Sequence, residues 1–212
     1  MGAVMTAERL EKATPENWMF PPADGWTFDQ VEDLELPFDW ELVDGVIVVK
    51  GRTVPWHNLV RARIEQRLDE CLEGPYAVLS EQCVLIDKYN PPVPDVVVFD
   101  QRGIDIFEAR HIPAENAALV VEVVSPGSRQ DDRVRKPALY AAAGIKNYWR
   151  VERGADGIPE VHEFWLHSET GQYMSASDRP VHVGKLETSR PFPIAIDLAA
   201  LIELRRTRVS DS

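Results

Sequence analysis

The chain has 212 residues, 44% hydrophobic and 27% charged, with 23 basic against 35 acidic side chains and a formal net charge of −12. That composition suits one soluble domain with a well-filled core, and excludes a membrane span, because no apolar run approaches about 18 residues. An acidic surface repels phosphates, which argues against a protein that coats nucleic acid, though not against an enzyme whose cleft is locally basic or screened by a metal.

Residues 1–30 are rich in proline, aspartate and tryptophan, with residues 1–25 reading as a lead-in arm and a short helix expected over residues 29–34. In residues 41–49, two short apolar runs flank Asp44-Gly45, a strong hairpin signal. Across residues 56–73, Val60, Ile64, Leu68, Cys71 and Leu72 recur at three- and four-residue spacing, which predicts an amphipathic helix ended by Gly74-Pro75. Residues 76–87 and 94–100 read as strands. Residues 118–125 are almost wholly apolar, as in a strand buried on both faces. A helix follows over 137–143 with Gly144 as its terminator, then a strand over 147–152. Shorter runs at 160–167, 172–175 and 180–183 suggest an antiparallel meander, and residues 194–204 become helical after Asp197. The whole is an α/β fold: a mixed β-sheet flanked by helices, with an added meander. Residues 26–205 are expected to form a single domain and 206–212 a tail. With no basic-then-apolar start, the cytoplasm is the expected location.

The most informative residue is Glu122, in the middle of the most apolar strand. A carboxylate buried there without compensation costs several kcal/mol by the usual order of magnitude. An arginine partner and a metal are equally good explanations from that strand alone. Asp95 opens another apolar strand. Two carboxylates at matching positions on neighbouring strands lie about 5 Å apart, and both stay ionised only with a cation between them. Hard oxygen ligands suit Mg2+ or Mn2+. Lys136 is the third candidate, a lysine able to steady charge on a phosphoryl oxygen. It ends the run 129–136, which otherwise reads as a solvated charged turn.

Asp95 after Pro94, Glu122 in its apolar strand and a downstream lysine together resemble the PD-(D/E)XK nuclease superfamily. More narrowly, the chain is similar to the Uma2 family of restriction-type endonucleases. The likeness runs over residues 26–204 and is carried by Trp40-Glu41-Leu42-Val43-Asp44-Gly45, His57, Val93-Pro94-Asp95, the segment 119–126, Lys136 four residues before Tyr140, and Gly144 with Tyr148-Trp149. The resemblance implies a restriction-endonuclease-like fold and a Mg2+- or Mn2+-dependent endonuclease acting on DNA. It implies that Asp95, Glu122 and the backbone carbonyl of Val123 hold the metal, that Glu41 is an additional acidic member of the site, and that His57 is an outer participant. Where the simplest superfamily pattern has lysine, this chain has Val124, and Lys136 would replace it. Pro137 directly follows Lys136. Because proline disfavours helical geometry in the residue before it, Lys136 is expected at the helix entrance rather than inside the helix.

Cys71 and Cys83 read as reduced thiols, too few for a zinc site of paired cysteines. His162 and His167 are five apart rather than the four of a zinc-protease helix, and fall on opposite faces of a strand. Tyr140, Tyr148 and Trp149 read as core aromatics, and the terminal Arg205-Arg206-Thr207-Arg208 as a solvated tail. Two function classes follow: a metal-dependent DNA phosphodiesterase, expected as a homodimer from the symmetry of two strands, or a nuclease-fold binding module without catalysis, favoured by the net charge and by Pro137.

Overall fold

Residues 11–128, 130–175 and 179–204 are described by the computed structural model. They divide into two units, one formed by the chain up to Lys50 with Asp87–Pro92, the other by Gly51–Ile86 with the chain from Val93 onward. The readings at Arg129 and at the arginine-rich terminus lie outside the described residues.

In the first unit, α1 spans only Phe28–Val31. It starts and stops earlier than expected because Leu34 must fold back to bury itself with Trp26, Val31, Leu42 and Ile47, while Glu32 and Asp33 reach out to Lys12. The expected hairpin is present: β1 (Trp40–Val43) pairs antiparallel with β2 (Val46–Val49). Asp44 and Gly45 turn it with φ of 48° and 74°, the two left-handed residues of a type I′ turn. Segment 87–92 clasps this turn, its Asn90 Oδ1 accepting from the Asp44 amide at 3.0 Å and its Tyr89 carbonyl from Gly45 at 3.2 Å. Glu41, on β1, is buried and lies 3.2 Å from Lys50 Nζ. A Cβ on Gly45 would come within 2.9 Å of the Gly25 Cα. Gly45→Ala is therefore expected to cost about 1–3 kcal/mol in urea denaturation; an unchanged midpoint would show that the two glycines separate freely.

The second unit opens with α2 (Pro55–Cys71), whose stripe His57, Val60, Ile64 and Leu68 is buried. Then come β3 (Tyr76–Ser80), β4 (Val84–Leu85), β5 (Val96–Asp100), β6 (Ile112–Pro113) and β7 (Ala117–Val123). The strand expected over 76–87 breaks after Ser80, where Glu81 takes a φ of 52°. Its remainder pairs with β6 as a separate two-stranded parallel sheet. A single turn of π-helix over Asp131–Arg135 leads into α3 (Lys136–Ala142). Gly144, at φ 77°, terminates α3 as expected, with Ile145 N–H donating to the Tyr140 carbonyl.

After α3 come β8 (Asn147–Arg153), β9 (Pro159–Leu166), β10 (Tyr173–Ser175), β11 (Val181–His182), β12 (Lys185–Thr188) and β13 (Ile194–Asp197). The main sheet has the order β10-β9-β8-β7-β5-β3, with β11 also on β9. All neighbours are antiparallel except β7 and β8, which the π turn and α3 connect, as a parallel pair requires. β8, β9 and β10 follow one another as an antiparallel meander, β11 joins the same edge of β9 as β10, and β12 with β13 forms its own hairpin. The helix expected after Asp197 is one 3-10 turn, Ala199–Ile202, entered through Asp197 Oδ1 accepting from the Ala199 amide at 2.9 Å.

This is the mixed sheet with helices on its faces that the sequence pattern implied. α2 packs Val60, Ile64 and Leu68 on Val96, Val98, Val121 and Val123. α3 packs Tyr140 on Val97, Phe99, Val120 and Tyr148 across the sheet. Among the described residues, no helix is long and apolar enough to cross a membrane, and Cys71 and Cys83 form no disulfide.

Candidate metal centre

The last register pair of β5 with β7 is Val96↔Val121. One step further sets Asp95 across from Glu122, the matching position that their sequence contexts suggested. Asp95 Oδ2 accepts from the Val123 amide at 2.7 Å and faces His57 Nε2 at 3.2 Å. Both nitrogens of that ring meet acceptors, the other being 3.3 Å from Asn58 Oδ1, the arrangement of an imidazolium. Burial disfavours the charged ring, but the hydrogen bond and charge of Asp95 outweigh it and raise the His57 pKa. Burial likewise opposes ionisation of Asp95, yet His57 and the Val123 amide together hold its pKa below the ordinary value. The Val124 amide points the other way, to Val151 O at 2.8 Å. N–H and C=O of one strand residue share a flank, so the Val123 carbonyl faces the Asp95 side.

Glu122 is 2% exposed. Its Oε1 accepts from the Tyr140 hydroxyl at 2.6 Å and lies 3.1 Å from Lys136 Nζ. Burial pushes its pKa up to about 8; Lys136 opposes the rise, and the charges of Asp132 and Asp95 add to it. The partner of Glu122 is therefore a lysine and a tyrosine, not an arginine. Lys136 sits at the helix entrance as expected, the first residue of α3 with Pro137 in its first turn. A proline ring inside an α-helix collides with the carbonyl four residues back. Here the preceding turn widens to π geometry, with Lys136 N–H donating to the Asp131 carbonyl, and Lys136 takes ordinary helical angles (φ −61°, ψ −45°) although proline disfavours them in the residue before it.

Two further residues belong to the cluster. Asp132, read as part of a solvated turn, is 1% exposed; its Oδ1 stands 3.5 Å from Lys136 Nζ and its Oδ2 accepts from the Ser128 hydroxyl. Tyr140 is the core aromatic expected, and its hydroxyl also serves Glu122. The signal was available: Asp132, Lys136 and Tyr140 repeat at four-residue spacing, one face of a helix. Arg133 and Arg135 turn outward to Glu152 and Asp131, so the charged run is only half a solvated one. Arg150 on β8, in register with Glu122, has its Nε 2.8 Å from Glu152. Glu41 belongs to the other unit, where it lies beside Lys50. His162 lies within β9 with His167 just past its end, and no group of three or more His, Cys, Asp or Glu among the described residues is arranged to hold a metal by side chains alone.

Asp95, Glu122 and Asp132 thus face two cations, Lys136 and His57. Loss of hydration in this buried setting is the main cause of the raised pKa of Glu122, and the neighbouring carboxylates Asp132 and Asp95 add to it. A site with two carboxylates and a backbone carbonyl suits a small hard dication, which prefers oxygen ligands. An all-oxygen donor set favours such an ion over zinc, whose sites are built mainly from histidine and cysteine.

A family model described as "Uma2: Putative restriction endonuclease" matches residues 27–199. No curated protein matches the chain. Among solved structures, the chain is similar to one described as a putative nuclease belonging to DUF820 from Anabaena variabilis ATCC 29413, with a TM-score of 0.54 and 18% identity over 74% of this chain and 88% of that one. That likeness is one of fold.

Proposed function

The chain belongs to the Uma2 family, described as restriction endonucleases, and on that premise we propose that it is a divalent-metal-dependent endonuclease hydrolysing phosphodiester bonds of DNA. The observation that carries the reading is Asp95 Oδ2 held at 2.7 Å by the amide of Val123, the residue after Glu122, with Lys136 Nζ 3.1 Å from Glu122.

In this reading Asp95, Glu122 and the Val123 carbonyl hold Mg2+ or Mn2+. Such an ion, when bound, polarises a phosphoryl oxygen and lowers the pKa of a water. Asp95 is kept ionised by His57 and the Val123 amide, so one ligand is ready at neutral pH. Glu122 gives up a proton to become the second. Lys136, released from Glu122, presents an ammonium to the charge developing on the phosphate. Glu41 enters the proposal on the family resemblance alone, and a homodimer on the need to cut two strands.

The reach of Lys136 removes one ground for the alternative, an inactive binding module; the net charge of −12 still favours it. The test is nicking of supercoiled plasmid DNA with and without Mg2+, wild type against Asp95→Asn. Metal-dependent nicking lost in the variant supports the enzyme. Binding of DNA without metal uptake or cleavage supports the module.

A further inference from the structure

Lys136 stands between two buried carboxylates, 3.1 Å from Glu122 Oε1 and 3.5 Å from Asp132 Oδ1. Glu122 cannot serve as a metal ligand and remain the ammonium's principal partner, because both cations would crowd one buried carboxylate. Asp132 is built to receive what Glu122 gives up. Its side chain is 2% exposed. Oδ2 is anchored by the Ser128 hydroxyl, itself 3.0 Å from Ser125 Oγ. The Asp132 amide donates to the Ser128 carbonyl at 2.9 Å, and its carbonyl accepts from the buried Tyr148 hydroxyl at 2.6 Å. Among the described residues every polar atom of Asp132 is held except Oδ1, which has no hydrogen-bond partner and meets the lysine at the outer limit of bonding distance.

We propose that Asp132 is a positioning residue, the alternative seat of Lys136: it draws the ammonium off Glu122 so that a divalent cation can be held there. The inference rests on Glu122 being a metal ligand. Asp132 acts through Lys136 and touches neither metal nor substrate. A neutral side chain at 132 leaves the lysine on Glu122 as a competitor of the metal; removal of the lysine makes the seat irrelevant.

The experiment is a double-mutant cycle read by calorimetric titration of Mn2+ into the full chain, with no cleavage involved. Asp132→Asn is expected to weaken Mn2+ affinity about tenfold, the lower end of what loss of a supporting partner costs a metal site. Lys136→Met is expected to bind Mn2+ at least as tightly as wild type. In that background Asp132→Asn is expected to have no further effect, and Asp132→Glu, which keeps the charge, restores most of the affinity when Lys136 is present. If Lys136→Met does not fold, Lys136→Gln, neutral and able to hydrogen-bond, serves the same comparison. An equal loss with and without the lysine makes Asp132 a metal ligand and overturns the seat. An unchanged affinity in Asp132→Asn, with a lowered melting temperature, makes it structural and overturns it too. A wild-type chain that takes up no Mn2+ overturns the metal-centre reading itself, a result distinct from either.

Discussion

Glu122→Gln and Asp95→Asn are each expected to lower Mg2+-dependent DNA cleavage on the order of a thousandfold or more, since each removes a ligand of the ion supplying several kcal/mol of charge stabilisation. The two should differ in their effect on the fold. Burial keeps Glu122 protonated below about pH 8. Its neutral amide isostere still accepts from Tyr140 and still faces Lys136, so the metal-free melting temperature is expected to hold. Asp95→Asn loses the partner of His57 but keeps an acceptor for the Val123 amide at 2.7 Å, and a modest loss of stability is expected. Activity lost together with stability in both variants would point to a structural pair instead. Plasmid nicking and thermal melts on the same preparations separate these outcomes.

The second large effect is one of pH. In the metal-free chain Glu122 titrates at about 8, against an ordinary value of 4.5. Below about pH 8 a metal must displace the proton, and each unit of pH costs about tenfold in affinity. Mn2+ affinity is therefore expected to rise about a hundredfold between pH 6 and pH 8 and to level off above. Glu122→Gln should abolish this slope with the binding. Stability without metal moves oppositely. Between 4.5 and about 8 the folded chain keeps a proton that the unfolded chain has released, so stability falls as pH rises through that window. His57 adds to the fall: its raised pKa contributes stability fully present below the ordinary imidazole value and lost as pH rises through the raised one. Asp95 works at the other end, its contribution present above the ordinary carboxylate value and lost as pH falls through its lowered one. Divalent metal binds the folded chain alone and offsets the alkaline loss. Denaturant melts at pH 5 and pH 8, with and without Mg2+, read all of this; a metal-free chain more stable at pH 8 than at pH 5 would contradict it.

How much of this could be read beforehand follows from the range of each signal. The buried strand around Glu122 was legible because an uninterrupted apolar run has few other uses, and the charge within it was an anomaly demanding a partner. The Asp44-Gly45 hairpin and the Gly144 terminator were legible because each needs a left-handed residue at one place. The π turn was not. The local rule for a residue before proline points away from a helix, and only packing, with Tyr140 fully buried against Val120 and Tyr148, makes the widened turn worthwhile. Asp132 was hidden for a related reason: within a run of charges, burial of one member is decided by the sheet it lies over. The two-residue pairing of Val84-Leu85 with Ile112-Pro113 joins segments too distant and too short to carry any local pattern. Tyr140 shows that a core aromatic and a site residue are not exclusive, because the ring fills the core while the hydroxyl reaches Glu122.

A crystal soaked in Mn2+ at pH 8 puts the matter to the most direct trial. Anomalous density within coordination distance of the Asp95 and Glu122 carboxylates and the Val123 carbonyl, with the Lys136 ammonium displaced toward Asp132, is the expected result. Lys136 still seated on Glu122, and no ion beside it at millimolar Mn2+, would mean that the lysine alone neutralises this carboxylate and that the chain has no metal centre there.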